Sequence, residues 1–143
     1  MFGSKKLTFQ VKDPARVICR IEGSNQRARE LTAFVDFNST HCLMFAHDAI
    51  YLGYSDVANR AREWREIFPQ KTPYLISFRG IERGILVNLK RVSIGPLSTE
   101  GVSAVCLEAE PSMQLPYDVV LGRSFLDKFK VTYDGRAKLL SLS

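Results

Sequence analysis

The apolar residues of this chain come in short runs, most of them cut off by turn-forming residues before they reach helical length. Thr8 to Val11 and Val17 to Ile21 carry apolar side chains at alternating positions, and Asp13-Pro14 lies between them, so this region reads as a pair of strands joined by a turn. The polar loop Gly23-Ser24-Asn25-Gln26 is followed by Leu31-Thr32-Ala33-Phe34-Val35, which reads as a buried strand running into Asp36. Pro73 to Phe78 and Ile85 to Ile94 are again rich in β-branched and aromatic residues. Arg79 to Gly84 between them carries Gly80 and Gly84, which predicts a long hairpin over about 73–94 with its tip at 79–84. Val102 to Leu107 follows the turn Gly95-Pro96, Val119 to Leu121 is a short apolar strand, and Lys130 to Tyr133 and Lys138 to Leu142 flank the hairpin signal Asp134-Gly135.

Helical periodicity is confined to a few places. In Asp56 to Phe68, Val57, Ala61, Trp64 and Phe68 recur at spacings of four, three and four, with Pro69 as the stop, so a helix is expected there with Trp64 in the core. His47 to Leu52 suits a shorter helix ending at Gly53, and Ser124-Phe125-Leu126-Asp127 has the capping-box spacing that opens a helix through Phe129. Short strands with two or three short helices point to an all-β, barrel-like domain. At 143 residues and 45% hydrophobic content, a single domain with a real core is expected.

The bulk charge excludes more than it suggests. A formal charge of +5 could draw acidic partners by field effects, but Arg27, Arg29, Arg60, Arg62, Arg65, Arg79, Arg83, Lys90 and Arg91 are scattered and read as solvated surface, so no nucleic-acid partner is expected. Cys19, Cys42 and Cys106 are odd in number and form no Cys-x-x-Cys pair, which argues against a disulfide framework or a zinc site and for a reducing compartment. Met1 to Lys6 leads into the alternating segment Leu7 to Val11 rather than an apolar run, so no signal peptide is visible. No stretch reaches the roughly 18 consecutive apolar residues of a membrane span. A soluble, cytoplasmic protein without a membrane partner is the expectation.

Few catalytic constellations survive inspection. No Gly-x-Ser-x-Gly elbow, phosphate-binding glycine loop or zincin helix is present. His41, His47 and Asp48 do not match a known ligand spacing, so a surface or packing role is expected and no metal. His41 and Cys42 are neighbours on a strand, so their side chains point to opposite faces and cannot form a nucleophile and base. What remains is Asp36, at a strand end before the polar turn Phe37-Asn38-Ser39-Thr40; taken alone, it is a turn-forming residue.

Ala33-Phe34-Val35-Asp36-Phe37-Asn38-Ser39-Thr40 resembles the active-site loop of the retropepsin-like aspartic proteases, whose pattern is two apolar residues, Asp, Thr or Ser, Gly, then Ala or Ser. The C-terminal part resembles them more closely. Val119-Val120-Leu121-Gly122-Arg123-Ser124-Phe125-Leu126, through Phe129, Val131, Asp134 and Leu139-Leu140-Ser141-Leu142, is similar to the family's Leu-Gly-x-x-(Phe/Met)-Leu segment, helix and closing hairpin, an arrangement shared by the DNA-damage-inducible ubiquitin-linked proteases. The hairpin around Gly80 to Gly84 falls where that family places its flap, Val92-Ser93-Ile94-Gly95 falls where it places the next turn, and the helix over about 56–68 looks like an insertion before the flap.

The resemblance implies a single closed retropepsin-like acid-protease barrel over 1–143, with Asp36 as the catalytic aspartate and no cofactor. It also implies a homodimer, because the chemistry takes two aspartates sharing one proton and this chain offers one at that position. Phe37, Asn38, Ser39, Gly80, Ile81 and Gly84 would then contact a polypeptide substrate. Two departures bear on activity. Phe37 stands where the family has a hydroxyl that braces the dimer, and Asn38 stands where it has glycine; Asn tolerates positive φ best among the alternatives, and Ser39 or Thr40 is placed to supply a substitute hydroxyl. A homodimeric aspartic endopeptidase and an inactive protease-fold module that binds peptides or assembles a complex are therefore both open.

Overall fold

A computed structural model describes residues 5–11, 16–54, 74–77, 80–107 and 117–143. The expected helix over 56–68, with Trp64, lies outside these residues. Along the described chain run β1 (Leu7–Gln10), β2 (Arg16–Glu22), β3 (Ala28–Val35), β4 (Cys42–Phe45), α1 (Ala46–Tyr51), β5 (Tyr74–Ser77), β6 (Gly80–Arg83), β7 (Ile85–Ile94), β8 (Leu97–Leu107), β9 (Val119–Leu121), α2 (Arg123–Leu126), β10 (Val131–Asp134) and β11 (Leu139–Leu142). Strands β2-β3-β9-β4-β8-β7 close into a barrel, β1-β11-β10 form a three-stranded sheet, and β5-β6 form a two-stranded one.

The burial pattern explains why these sequences take these places. On β2, Cys19 and Ile21 point into the barrel while Arg16, Ile18 and Arg20 point out, the alternation of a strand with one wet face. The C-terminal half of β3, all of β4 and all of β9 lack that alternation because both of their faces are covered. Ala33, Val35, Met44, Val119 and Leu121 belong to the main core; Phe34, Leu43, Phe45, Val105, Tyr117 and Val120 form a second cluster. Such strands read as continuous apolar runs, and they are where parallel pairing occurs: β3 with β9 and β4 with β8.

Helix α1 follows β4 directly and lies against β4 and β8. Arg29 sits opposite Ile21 in the β2–β3 ladder, and its guanidinium donates to the buried carboxylate of Asp48 at 2.7 Å, so the helix is tied to β3 by an ion pair, with the Arg29 guanidinium also resting 3.9 Å from the Tyr51 ring centre. At the other side of the same segment, the Tyr54 hydroxyl donates to Asn88 O at 2.9 Å and accepts from Lys90 N at 3.1 Å. It takes up β7 backbone groups beyond the end of the β2 ladder, since among the described residues β2 pairs with β7 from Arg91 to Ser93.

Several sequence expectations change. β1 and β2 are strands but do not pair with each other: β1 runs beside β11, with Leu7 opposite Leu142, and β2 pairs with β3 and β7. In the long hairpin, Gly80–Arg83 is a strand and not part of a tip. It pairs with Tyr74–Ser77, Ser77 opposite Gly80, while β7 pairs with β8 and β2. The turn after Asp134 is longer than the two residues expected, because Asp134 opposes Leu139; its Oδ1 accepts from Arg136 N and Ala137 N. Finally, Ser124 does not cap α2. Gly122 occupies that position without a side-chain bond, and the Ser124 hydroxyl is engaged elsewhere.

Candidate functional site

Asp36 leaves the end of β3 with its backbone N–H bonded to Leu121 O at 3.0 Å. The position follows from register: β9 lies between β3 and β4, and Val35 is opposite Leu121. The polar turn is then gripped from the next residues of the same segment. Arg123 N donates to Ser39 O at 2.7 Å and Ser124 N to Thr40 O at 2.9 Å. This approach leaves no room for a side chain at Gly122, where a Cβ would stand 2.2 Å from His41 O and 2.7 Å from Ser39 O. The Leu121-Gly122 signature is thus the clamp that holds the Asp36 turn.

Within the turn both carboxylate oxygens of Asp36 accept a hydrogen bond. Asn38 N donates to Oδ1 at 3.0 Å, and the fully buried Ser39 hydroxyl donates to Oδ2 at 2.5 Å, the length of a charge-assisted bond. Asp36 itself is only 9% exposed. The Asn38 bond is the Asx-turn pattern of a turn-forming aspartate, and the Ser39 hydroxyl adds a second donor, so the carboxylate is fixed in orientation. Asn38 stands where the retropepsin-like pattern has glycine, yet among the described residues only Gln26 and Lys138 are non-glycine positions with positive φ, so its backbone carries no left-handed strain. Phe37 is 43% exposed and Asn38 is exposed.

Ser124 is a residue that sequence spacing misassigned. Its hydroxyl donates to Ser103 O on β8 at 2.7 Å and accepts from Cys42 N on β4 at 3.0 Å, so it ties both strands to the helix that follows Gly122. His41 is occupied separately, with Nδ1 at 2.7 Å from the Ser103 hydroxyl. Cys42 is buried, and burial pushes its thiol upward against the opposing effect of the Ser124 bond, so a His41-Cys42 nucleophile pair is absent. His47 is largely exposed beside Asp48, whose other oxygen is held by Arg29. Among the described residues no group of three His, Cys, Asp or Glu side chains is arranged to hold a metal ion.

Of the residues expected at the flap, Gly80 and Ile81 lie on a separate two-stranded sheet, and Gly84 does not. Gly80 and Ile81 pair with Ser77 and Ile76. Gly84 joins β6 to β7 and is pressed against β8, where a Cβ would stand 2.3 Å from Cys106 O. The root of the hairpin is therefore fixed by backbone contact.

Along 99% of this chain and 96% of the other, the structure superposes on a retropepsin-like aspartic protease from Rickettsia conorii, with a TM-score of 0.53 and 17% sequence identity. The fold is retropepsin-like. No family model and no curated protein matches the sequence. Within this retropepsin-like barrel the Asp36 turn and the Leu121-Gly122 clamp are joined by direct hydrogen bonds, and no described helix is long and apolar enough to cross a membrane.

Proposed function

We propose that this chain is the protomer of a homodimeric aspartic endopeptidase that hydrolyses peptide bonds through Asp36 and the Asp36 of a second copy. The observation that carries the reading is the Asp36 carboxylate, buried at a clamped turn with Ser39 and Asn38 each donating to one oxygen, in a retropepsin-like fold. Two such carboxylates facing each other share a proton, because like charges a few ångströms apart are costly to ionise together. The ionised carboxylate takes a proton from water as it attacks the scissile carbonyl, and the protonated one donates to the carbonyl oxygen. Ser39 and Asn38 keep both oxygens aimed while the proton moves. The β5–β6 hairpin serves as the flap, with Gly80 and Ile81 laid along the backbone of an extended substrate, Phe37 and Asn38 at its flank, and Gly84 as the anchored root. Three buried free thiols suit a reducing, cytoplasmic setting.

A second reading has its own observation. Phe37 places an exposed ring where the retropepsin-like pattern carries a hydroxyl, which favours a catalytically inactive module that keeps the groove for binding peptides or assembling a complex. Incubation with a denatured protein substrate from pH 3 to 8, beside Asp36→Asn and a transition-state-mimicking aspartic-protease inhibitor, separates the two. The peptidase reading expects cleavage that both the substitution and the inhibitor abolish; cleavage unchanged in Asp36→Asn ends it. Peptide binding without cleavage selects the inactive module.

A further inference from the structure

Where the segment after Asp36 meets α2 and β8, the surface opens into a pocket of about 480 Å³. Thr40 and His41 line it from the stretch that leads into β4, Ser103 from β8, and Arg123, Asp127 and Lys128 from α2 and the two residues after it. The volume falls within the range of small-molecule sites, about 300–1,000 Å³. Asp36 is not part of the lining, so the pocket is separate from the carboxylate proposed for catalysis.

Its walls are held by bonds within the protein. Ser124 N donates to Thr40 O at 2.9 Å and the Ser124 hydroxyl to Ser103 O at 2.7 Å, so one residue ties the three walls together. The Ser103 hydroxyl in turn stands 2.7 Å from His41 Nδ1 and fixes that ring against β8. Groups already held in place lose little freedom when a ligand arrives, which leaves more of the contact energy for affinity.

The charges of the lining are not neutralised by one another. Among the described residues the ion pairs join Arg29 and His47 to Asp48, and Lys90 and Arg91 to Glu22 and Glu100; Arg123 and Lys128 take part in none. Asp127 pairs with neither, although it follows Arg123 by four residues and adjoins Lys128. Two cations thus stand against one carboxylate. The Arg123 guanidinium spends one of its five N–H groups on Thr40 Oγ1, at 3.3 Å. A hydroxyl that accepts in this way keeps its own proton to donate, so Thr40 adds a donor beside the guanidinium. These donors come from different walls. A carboxylate, with two oxygens in one plane, would be satisfied by the guanidinium alone, whereas a phosphoryl group presents oxygens in tetrahedral directions and can meet the guanidinium, the ammonium and the hydroxyl together.

We propose that this pocket binds a phosphoryl group, as free phosphate or as the phosphate of a small monoester, through Arg123, Lys128 and the Thr40 hydroxyl. The inference goes beyond the peptidase reading and does not depend on it. Asp127 opposes the ligand by charge, and this gives the site a sign that a general attraction of anions to a basic surface lacks: removing the Asp127 carboxylate strengthens binding here. A ligand that bridges α2 and the segment after Asp36 also binds only the folded chain, so it stabilises the fold as its concentration rises.

The test is titration of the full chain, labelled with nitrogen-15, with inorganic phosphate at constant ionic strength. Saturable amide shifts are expected, centred on Thr40, Gly101, Ser103 and Lys128, with a dissociation constant of about 1 mM or tighter, the affinity left when two or three charge-assisted bonds offset the cost of association. Lys128→Gln is expected to raise the constant about tenfold, the loss of one charged contact, while Arg136→Gln, an equal change of charge in the exposed turn after β10, leaves it within about twofold. Asp127→Asn lowers it about twofold or more. Arg123→Gln should abolish binding; because that side chain also holds Thr40, its amide spectrum is read beside that of Lys128→Gln to show that the fold is kept. Shifts that do not saturate or that spread over the whole surface, equal constants in Lys128→Gln and Arg136→Gln, or weaker binding in Asp127→Asn overturn the proposal. Glycerol 3-phosphate, titrated in parallel, separates the two sources: tighter binding than inorganic phosphate assigns a monoester, weaker binding assigns free phosphate, and both uphold the phosphoryl site. None of these readouts involves proteolysis, so the endopeptidase reading and this one stand or fall separately.

Discussion

The Ser39 hydroxyl donates to Oδ2 of Asp36 at 2.5 Å, from three residues further along the same turn and with no exposed surface of its own. That bond places Oδ2 of the aspartate by a group of this chain alone, where the Phe37 position supplies no hydroxyl. Ser39→Ala leaves the oxygen without this donor in a buried setting. A hydrogen bond to a charged group is worth about 1.5–3 kcal/mol, so under the peptidase reading kcat falls about tenfold to a hundredfold. KM for the same peptide stays close to wild type, because Ser39 is buried behind the carboxylate. A kcat unchanged in Ser39→Ala would show that Asp36 needs no local orienting group.

Gly122 is required for space and not for conformation. Its φ of −97° is open to any residue, but an added Cβ would stand 2.2 Å from His41 O and 2.7 Å from Ser39 O, both backbone atoms that cannot swing aside. Gly122→Ala is expected to lower stability by about 3 kcal/mol or prevent folding, the upper range for overpacking. Gly135→Ala is the contrast, since its nearest neighbour would be Tyr133 Cε1 at an ordinary 3.8 Å; the change there stays within about 0.5 kcal/mol. Urea unfolding of the two variants checks the pair.

What the sequence discloses depends on whether the signal is local. The run into Asp36 and the Val119–Leu121 segment are legible because strands covered on both faces need unbroken apolar residues. Which strands pair is not legible from alternation, and so β1 was expected beside β2 when it lies beside β11. Gly80 and Gly84 look like loop residues, yet Gly80 opens a strand and Gly84 is there because the Cys106 carbonyl comes close. Ser124 has the local spacing of a cap, but β4 and β8 compete for its hydroxyl and take it. At the site, Asp36 and its turn were legible; the donors to each oxygen and the Gly122 clamp depend on contacts that only the fold creates.

Tyr54 performs the work of a backbone segment. Its hydroxyl satisfies Asn88 O and Lys90 N on β7 beyond the reach of β2, and burial raises the phenol above its ordinary value, so it stays protonated and able to donate. Tyr54→Phe removes both bonds and is expected to cost about 1–3 kcal/mol, within the range for partners left unsatisfied. Amide exchange should quicken at Lys90 and stay unchanged at Val92, which pairs in the ladders of β7 with both β2 and β8.

The three thiols make alkaline stability a readout of the core. Burial pushes Cys19 and Cys106 from 9.0 up to about 12, with the Cys42 charge a lesser contribution at Cys19, and burial raises Cys42 as well. A thiol raised in the folded state holds its proton after the unfolded chain has lost it, so the unfolded state binds fewer protons above pH 9 and stability falls as pH rises. The contribution is complete below pH 9 and is lost between about 9 and 12. Urea midpoints measured from pH 7 to 11 should be level at first and then decline. Thiol reagents at pH 8 should leave the folded protein unmodified and label it on unfolding.

Phe37 offers the sharpest division between the two functional readings. The ring is 43% exposed and is no part of either core cluster, so replacing it with a smaller residue costs little stability in the isolated chain. If the missing hydroxyl is what limits catalysis, Phe37→Thr restores a donor next to Asp36 in each copy of the dimer. A hydrogen bond that braces the two turns contributes about 0.5–1.5 kcal/mol, which predicts peptidase activity raised about twofold to tenfold. The same substitution in an Asp36→Asn background should do nothing. If instead the ring packs against its symmetry mate and takes over the bracing, Phe37→Thr weakens dimerisation and activity together, and sedimentation beside the peptidase assay tells these two outcomes apart. Activity absent both before and after the substitution, with peptide binding retained, leaves the inactive module as the reading of this site.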